Sequence, residues 1–145
     1  ASMSMDQVSE RLWCGDGPSA MDCGLIAANG ITAIVTVAYE YQPHLRHKLP
    51  VTYAGLSDEF DGLPVNADSQ LCAAINAAVN FWNDGQTVLV HCHAGRNRSV
   101  STCVGAMVRL RHFQTVNEAL QSLASKHPCS PCPRLIAHVA VLVDP

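Results

Sequence analysis

Residues 90–99, Val-His-Cys-His-Ala-Gly-Arg-Asn-Arg-Ser, set a cysteine between two histidines and follow it with a glycine, two arginines and a serine. Three chemistries use such a set: a metal centre on His91, Cys92 and His93, a nucleotide-binding glycine loop, or an anion pocket around a reactive thiolate. Adjacent strand residues point to opposite faces and zinc ligands are usually spaced by two to four residues, which counts against the metal. A nucleotide P-loop needs a second glycine and a lysine that this stretch does not have. The third chemistry fits. A loop over 92–98, fed by a strand and leading into a helix, gathers backbone N–H groups and the positive end of a helix dipole around one point. Such surroundings, together with the Arg98 guanidinium, favour thiolate over thiol at Cys92 and bind a dianion. Arg98 offers a planar fork to two oxygens, which a lysine does not reproduce. Ser99 can donate to the sulfur, and Gly95 lets the backbone turn close to a ligand. The expected anion-binding set is His93, Ala94, Gly95, Arg96, Asn97 and Arg98, with His91 bracing the loop from beneath and no metal ion.

The elements that must position this loop are legible nearby. Thr87–His91 is short, β-branched and preceded by Asp84-Gly85, and reads as a strand. Residues 99–110 are apolar nearly all round, as in a helix buried at the centre of a domain. Upstream, Arg11-Leu-Trp-Cys-Gly15 reads as a first strand, Pro18-Ser19 as a helix start leading to about Ala28, residues 31–38 and 51–56 as further strands. Leu71, Ala74, Ile75, Ala78, Val79 and Trp82 recur at helical spacing, predicting an amphipathic helix over 68–83. Thr115-Val-Asn-Glu118 has the form of a capping box, and Leu135, Ile136, Val139, Ala140 and Val143 predict a last helix. Strands alternating with helices and then helices alone imply an α/β domain: a central, mostly parallel sheet of about four to five strands flanked by helices, residues 1–145 forming one domain.

Composition narrows the function. A net charge of −3 with nine Lys and Arg disfavours a broad basic face for duplex nucleic acid, and short, interrupted apolar runs disfavour a membrane span. The small, polar start "ASMSM" carries no charged-then-apolar signal, so a cytoplasmic setting is expected. Seven cysteines, an odd number scattered through apolar patterns, read as reduced thiols. Cys129-Ser-Pro-Cys132, with His127 and His138 near it, is a weak zinc candidate because no second pair matches it; a proline-rich turn before a helix is the plainer reading.

His91-Cys92-x-x-Gly95-x-x-Arg98-Ser99 resembles the H-C-x-x-G-x-x-R-[ST] signature of the cysteine-based protein tyrosine phosphatases, in particular the small, single-domain dual-specificity branch. "RLWCG", "LIAANGITAIVTVA" and "VTYAGL" are similar to that family's first strand, its helix-to-strand stretch and the strand before its acid loop. The resemblance implies a protein tyrosine phosphatase-like fold and hydrolysis of phosphotyrosine and phosphoserine/threonine in proteins through a phosphocysteine intermediate at Cys92, without cofactor. It also implies an aspartic acid that protonates the leaving oxygen. "LSDEFDGLP" holds two candidates, Asp61 and Asp58, 31 and 34 residues before Cys92, and Asp61, followed by Gly-Leu-Pro, is preferred. The long insertions and phosphotyrosine-recognition loop of the tyrosine-only relatives are missing, which implies a shallow pocket. Expected partners are therefore phosphorylated proteins, and phosphate or other oxyanions in the loop. Alternatives are a phosphoinositide phosphatase, from His93 and Arg96 on the rim, an RNA 5′-phosphate phosphatase, from Asn97-Arg98, and a non-catalytic phosphopeptide-binding module.

Overall fold

The structure is a computed structural model describing residues 3–38, 40–54 and 67–144. Its sheet has five strands: β1 (Met5–Ser9), β2 (Leu12–Gly15), β3 (Ala33–Thr36), β4 (Val51–Tyr53) and β5 (Val88–His91). Their spatial order is β1-β2-β5-β3-β4. β1 pairs antiparallel with β2 and every other pairing is parallel. β5, expected from its branched apolar run, is the central strand, and all four of its residues are buried. Strand β1 was not expected: of Met5-Asp-Gln-Val-Ser9 only Val8 is buried, so an edge strand carries no clear apolar alternation.

Helices cover both faces. α1 (Gly17–Met21) and α2 (Cys23–Ala28) lie on one side, where Ala20 and Ile26 pack with Ile31, Ile34 and Leu89. The single helix expected from Pro18 to Ala28 is two helices because Asp22 ends the first, its N–H bonding to the Ser19 carbonyl, and caps the second by accepting from the Leu25 N–H at 3.0 Å. α3 (Ala67–Asn83), α4 (Arg98–Arg109), α5 (Val116–Ala124) and α6 (Pro133–Val143) build the other face. Leu71, Ala74, Ile75 and Ala78 of α3 enter that core as their spacing predicts. All residues from Arg98 to Val108 of α4 are buried, the polar Arg98, Ser99, Ser101 and Thr102 included. Thr115 caps α5 by accepting from the Glu118 N–H at 3.2 Å. Among the described residues no helix is long and apolar enough to cross a membrane.

Because β2 and β3 flank β5 in parallel, the carboxyl ends of all three strands open at one edge of the sheet, between connections that run to opposite faces. Such a reversal leaves a crevice in which α/β proteins bind ligands. The loop after β5 lies there.

Candidate active site

β5 delivers His91 and Cys92 to that edge. His91 is fully buried and faces its register partner Thr36, whose Oγ lies 2.8 Å from Nε2, while Nδ1 lies 3.1 Å from the Cys92 carbonyl. Burial drives the imidazole pKa down to about 4, despite the opposing pull of the Cys92 carbonyl and Asp16. The ring is therefore neutral, donating from Nδ1 to Cys92 and accepting from Thr36 at Nε2. Both nitrogens are engaged beneath the loop.

The loop is shaped by what happens to its carbonyls. Those of Cys92, His93, Gly95 and Arg96 each meet a donor: the His91 ring, the Gly17 N–H at 2.9 Å, the His127 ring at 2.5 Å and the Ser130 N–H at 3.0 Å. In a trans peptide the carbonyl and the following N–H point in opposite directions. Turning these carbonyls outward aims the N–H groups of His93, Ala94, Arg96 and Asn97 at the concave side, which makes an anion nest. Helix α4 begins at Arg98 and adds its N-terminal partial charge there. The Asn97 side chain accepts from the Cys132 N–H at 2.6 Å, so it anchors the loop to the proline-rich turn and does not line the pocket by that oxygen. His93, Ala94 and Arg96 are exposed on the rim, whereas Cys92, Gly95, Arg98 and Ser99 are buried.

Gly95 has φ +73°, and a Cβ there would come within 2.8 Å of the Gly15 carbonyl carbon and 2.9 Å of the Asp16 nitrogen. The loop thus lies backbone to backbone on the end of β2, a contact continued by the Cys92 N–H, which donates to the Gly15 carbonyl at 3.3 Å. Asp16 fixes that platform, accepting from the Ser4 and Ser19 N–H groups, each at 2.8 Å. The Ser99 hydroxyl lies 3.2 Å from Cys92 Sγ and accepts from the Cys14 thiol at 3.5 Å.

Arg98, 4% exposed, bonds end-on to Glu40: one terminal nitrogen lies 2.7 Å from one carboxylate oxygen and the other 3.3 Å from the second. Burial would raise the Glu40 carboxyl, but the hydrogen bonds from Arg98 outweigh it and hold the group below the usual carboxylate range. A guanidinium has a second edge, formed by Nε and one terminal nitrogen, of the kind that binds two phosphate oxygens. Next to Glu40, the Tyr41 ring stacks on His93 with centroids 5.6 Å apart, and its hydroxyl lies 2.8 Å from His93 Nδ1. A Cβ on Gly17 would overlap that ring at 2.1 Å, so a larger residue at this position would displace Tyr41.

Glu40 and Tyr41 escaped the sequence reading. They follow β3, the strand parallel to β5, and a polar pair at the carboxyl end of a strand beside the loop was the available signal. We predict that Glu40→Gln lowers kcat/KM for an aryl phosphate about tenfold by loosening Arg98. Steady-state rates within about twofold of wild type would show that Arg98 holds its place without the carboxylate.

The two proposed general acids, Asp61 and Asp58, lie outside the described residues. His127 and His138, candidate zinc ligands beside Cys129 and Cys132, are directed elsewhere: His127 to Gly95 and Asp6, His138 to Asp68 at 2.5 Å. All seven cysteines are unpaired.

Comparison with known proteins points the same way. Residues 12–140 match the family described as "Dual specificity phosphatase, catalytic domain". The chain is 26% identical over 121 residues to dual specificity protein phosphatase 1 of Arabidopsis thaliana, covering 83% of this chain and 59% of that protein. It is 31% identical over 130 residues to human dual specificity protein phosphatase 21, covering 86% and 64%. The chain thus spans less than two thirds of the length of both. In fold it is similar to human DUSP28, with a TM-score of 0.85 and 19% identity over 99% of this chain and 95% of that one. A mouse putative dual specificity phosphatase complexed with zinc tungstate gives a TM-score of 0.84 and 22% identity over 99% and 88%.

Proposed function

Because the chain belongs to the family of dual specificity phosphatase catalytic domains, we propose that it hydrolyses phosphotyrosine and phosphoserine/threonine esters of proteins, with Cys92 as nucleophile. The observation that carries this reading is Cys92 Sγ at the floor of an outward-tied loop, beside the Ser99 hydroxyl and the N-terminus of α4. The thiolate attacks phosphorus in line, the ester oxygen leaves with a proton from an aspartic acid, and the phosphocysteine formed is hydrolysed by water. Loop amides and the Arg98 fork hold the equatorial oxygens through both transfers. Ser99 donates to the sulfur as the second transfer returns it to a thiolate. No step uses a metal or an organic cofactor. A mouse putative dual specificity phosphatase of similar fold is complexed with zinc tungstate, which accords with the proposal that this chain binds a tetrahedral oxyanion.

The test is turnover of a panel at matched concentration: phosphotyrosyl and phosphothreonyl peptides, a phosphoinositide in micelles and a 5′-triphosphate RNA. Both peptides should be hydrolysed in preference to the other two. A preference of about tenfold or more for the lipid or the RNA would replace the protein-phosphatase reading with one of those. The proton donor is tested separately. Asp61→Asn is expected to slow phosphothreonyl peptide hydrolysis by about 10²-fold, spare an activated aryl ester and remove the basic limb of the pH–rate profile. Asp58→Asn should keep that limb. The reverse pattern would transfer the acid to Asp58.

A further inference from the structure

Outside the residues assigned above, one buried side chain touches the loop directly from another part of the chain. His127 lies just after α5, 2% exposed, with Nε2 2.5 Å from the Gly95 carbonyl and Nδ1 2.6 Å from Asp6 Oδ2 on β1. Both partners are acceptors, so each ring nitrogen needs a hydrogen, and only the imidazolium carries two. A neutral ring would set a lone pair against either the carbonyl or the carboxylate.

We propose that the His127 imidazolium, clamped between Asp6 and the Gly95 carbonyl, is a positioning residue of the oxyanion pocket, so that affinity for a tetrahedral dianion depends on the charge of this ring. The proposal deepens the phosphatase reading and rests on it. Gly95 is the residue at positive φ where the loop presses on Gly15 and Asp16, and its carbonyl must face away from the anion. A charged donor fixes that orientation more firmly than a neutral one, and with it the Arg96 N–H on the opposite side of the same peptide. The ring also places a positive charge behind the nest.

The groups facing the ring come from each neighbouring element: Asp6 on β1, the Cys14 thiol on β2, the Gly95 carbonyl, and, beyond Cys14, Cys103 on α4 and Cys129 in the following turn. Burial alone would lower the His127 pKa, but Cys14, the Gly95 carbonyl and Asp6 outweigh it and raise it to about 9. Burial opposes ionisation of Cys14, while Cys103, His127 and Ser99 draw its pKa below the usual thiol value. The ring is therefore charged at neutral pH and loses its proton as pH rises through about 9.

The test uses tungstate, which stays dianionic across the range, bound to Cys92→Ser protein so that the nucleophile's own charge plays no part. Calorimetric affinity should be steady from pH 7 to 8 and fall about tenfold or more by pH 10. His127→Gln should bind about tenfold more weakly at pH 7, and His127→Arg should recover most of that affinity and lose the alkaline fall. Asp6→Asn, at a position 40% exposed and so tolerant of change, should move the fall to lower pH. An affinity level through pH 10, or a fall unmoved by Asp6→Asn, overturns the proposal. So does a fall that persists in His127→Arg but vanishes in Cys14→Ala, which would assign the titration to the thiol. If Cys92→Ser protein takes up no tungstate at pH 7, the oxyanion reading itself is lost.

Discussion

Cys92→Ser is expected to reduce aryl phosphate hydrolysis by at least about 10⁴-fold while leaving tungstate affinity within about threefold of wild type. The two outcomes separate because different atoms are responsible. In the proposed mechanism bond making belongs to Sγ alone, whereas the anion is held by N–H groups whose directions are set by the outward carbonyl bonds to the His91 ring, Gly17, the His127 ring and Ser130. The serine hydroxyl is smaller than the thiol and adds no bulk beside Ser99, so the pocket has no reason to rearrange. An alkoxyl is scarcely ionised near neutral pH, so the nucleophile is lost. Measured turnover within about a hundredfold of wild type would remove Cys92 from the chemistry.

Arg98→Lys is the second large effect, an expected fall of about 10³-fold in kcat/KM for the same ester, accompanied by weaker tungstate binding. The positive charge survives the substitution, so the loss isolates geometry. A guanidinium can use one edge for Glu40 and another for two phosphate oxygens at once, and the observed end-on contacts at 2.7 and 3.3 Å show the first half of that arrangement. An ammonium has one nitrogen, which cannot sit on the carboxylate and bridge two oxygens of the substrate together. Kinetics within about tenfold of wild type would mean that the phosphate feels only charge at this position.

What could be read from the sequence was local. Cys92, Gly95, Arg98 and Ser99 fall within eight residues, and the strand before them and the helix after them each carry their own periodicity. The faces of α3 and α6 and the cap at Thr115 were legible for the same reason. The supports of the loop were not: Glu40 is 58 residues from Arg98, and His127 is 32 from Gly95. Contacts of this kind are fixed by tertiary packing and leave no spacing pattern. β1 was hidden by its polarity, and the break between α1 and α2 by an aspartate that serves one helix as an end and the next as a beginning. The turn at Cys129–Cys132 was readable as a turn, but its purpose, holding Arg96 and Asn97 through the Ser130 and Cys132 N–H groups, was visible only once the two segments were placed side by side.

Those scattered supports have a consequence for folding and stability. Gly15, Gly17, His91, His127, Ser130 and Cys132 all grip the same six-residue loop, so the pocket cannot exist until segments from both ends of the chain have met. Free energy gained when an oxyanion binds is therefore shared by the whole domain, because the ligand selects only molecules in which every one of those contacts is closed. Amide hydrogen exchange in β2 and in the turn after α5 should slow on ligation as much as exchange in the loop itself. A fragment ending before Ser130 would keep the nucleophile, the arginine and the entire signature, and still lack the Ser130 and Cys132 N–H groups that tie down Arg96 and Asn97.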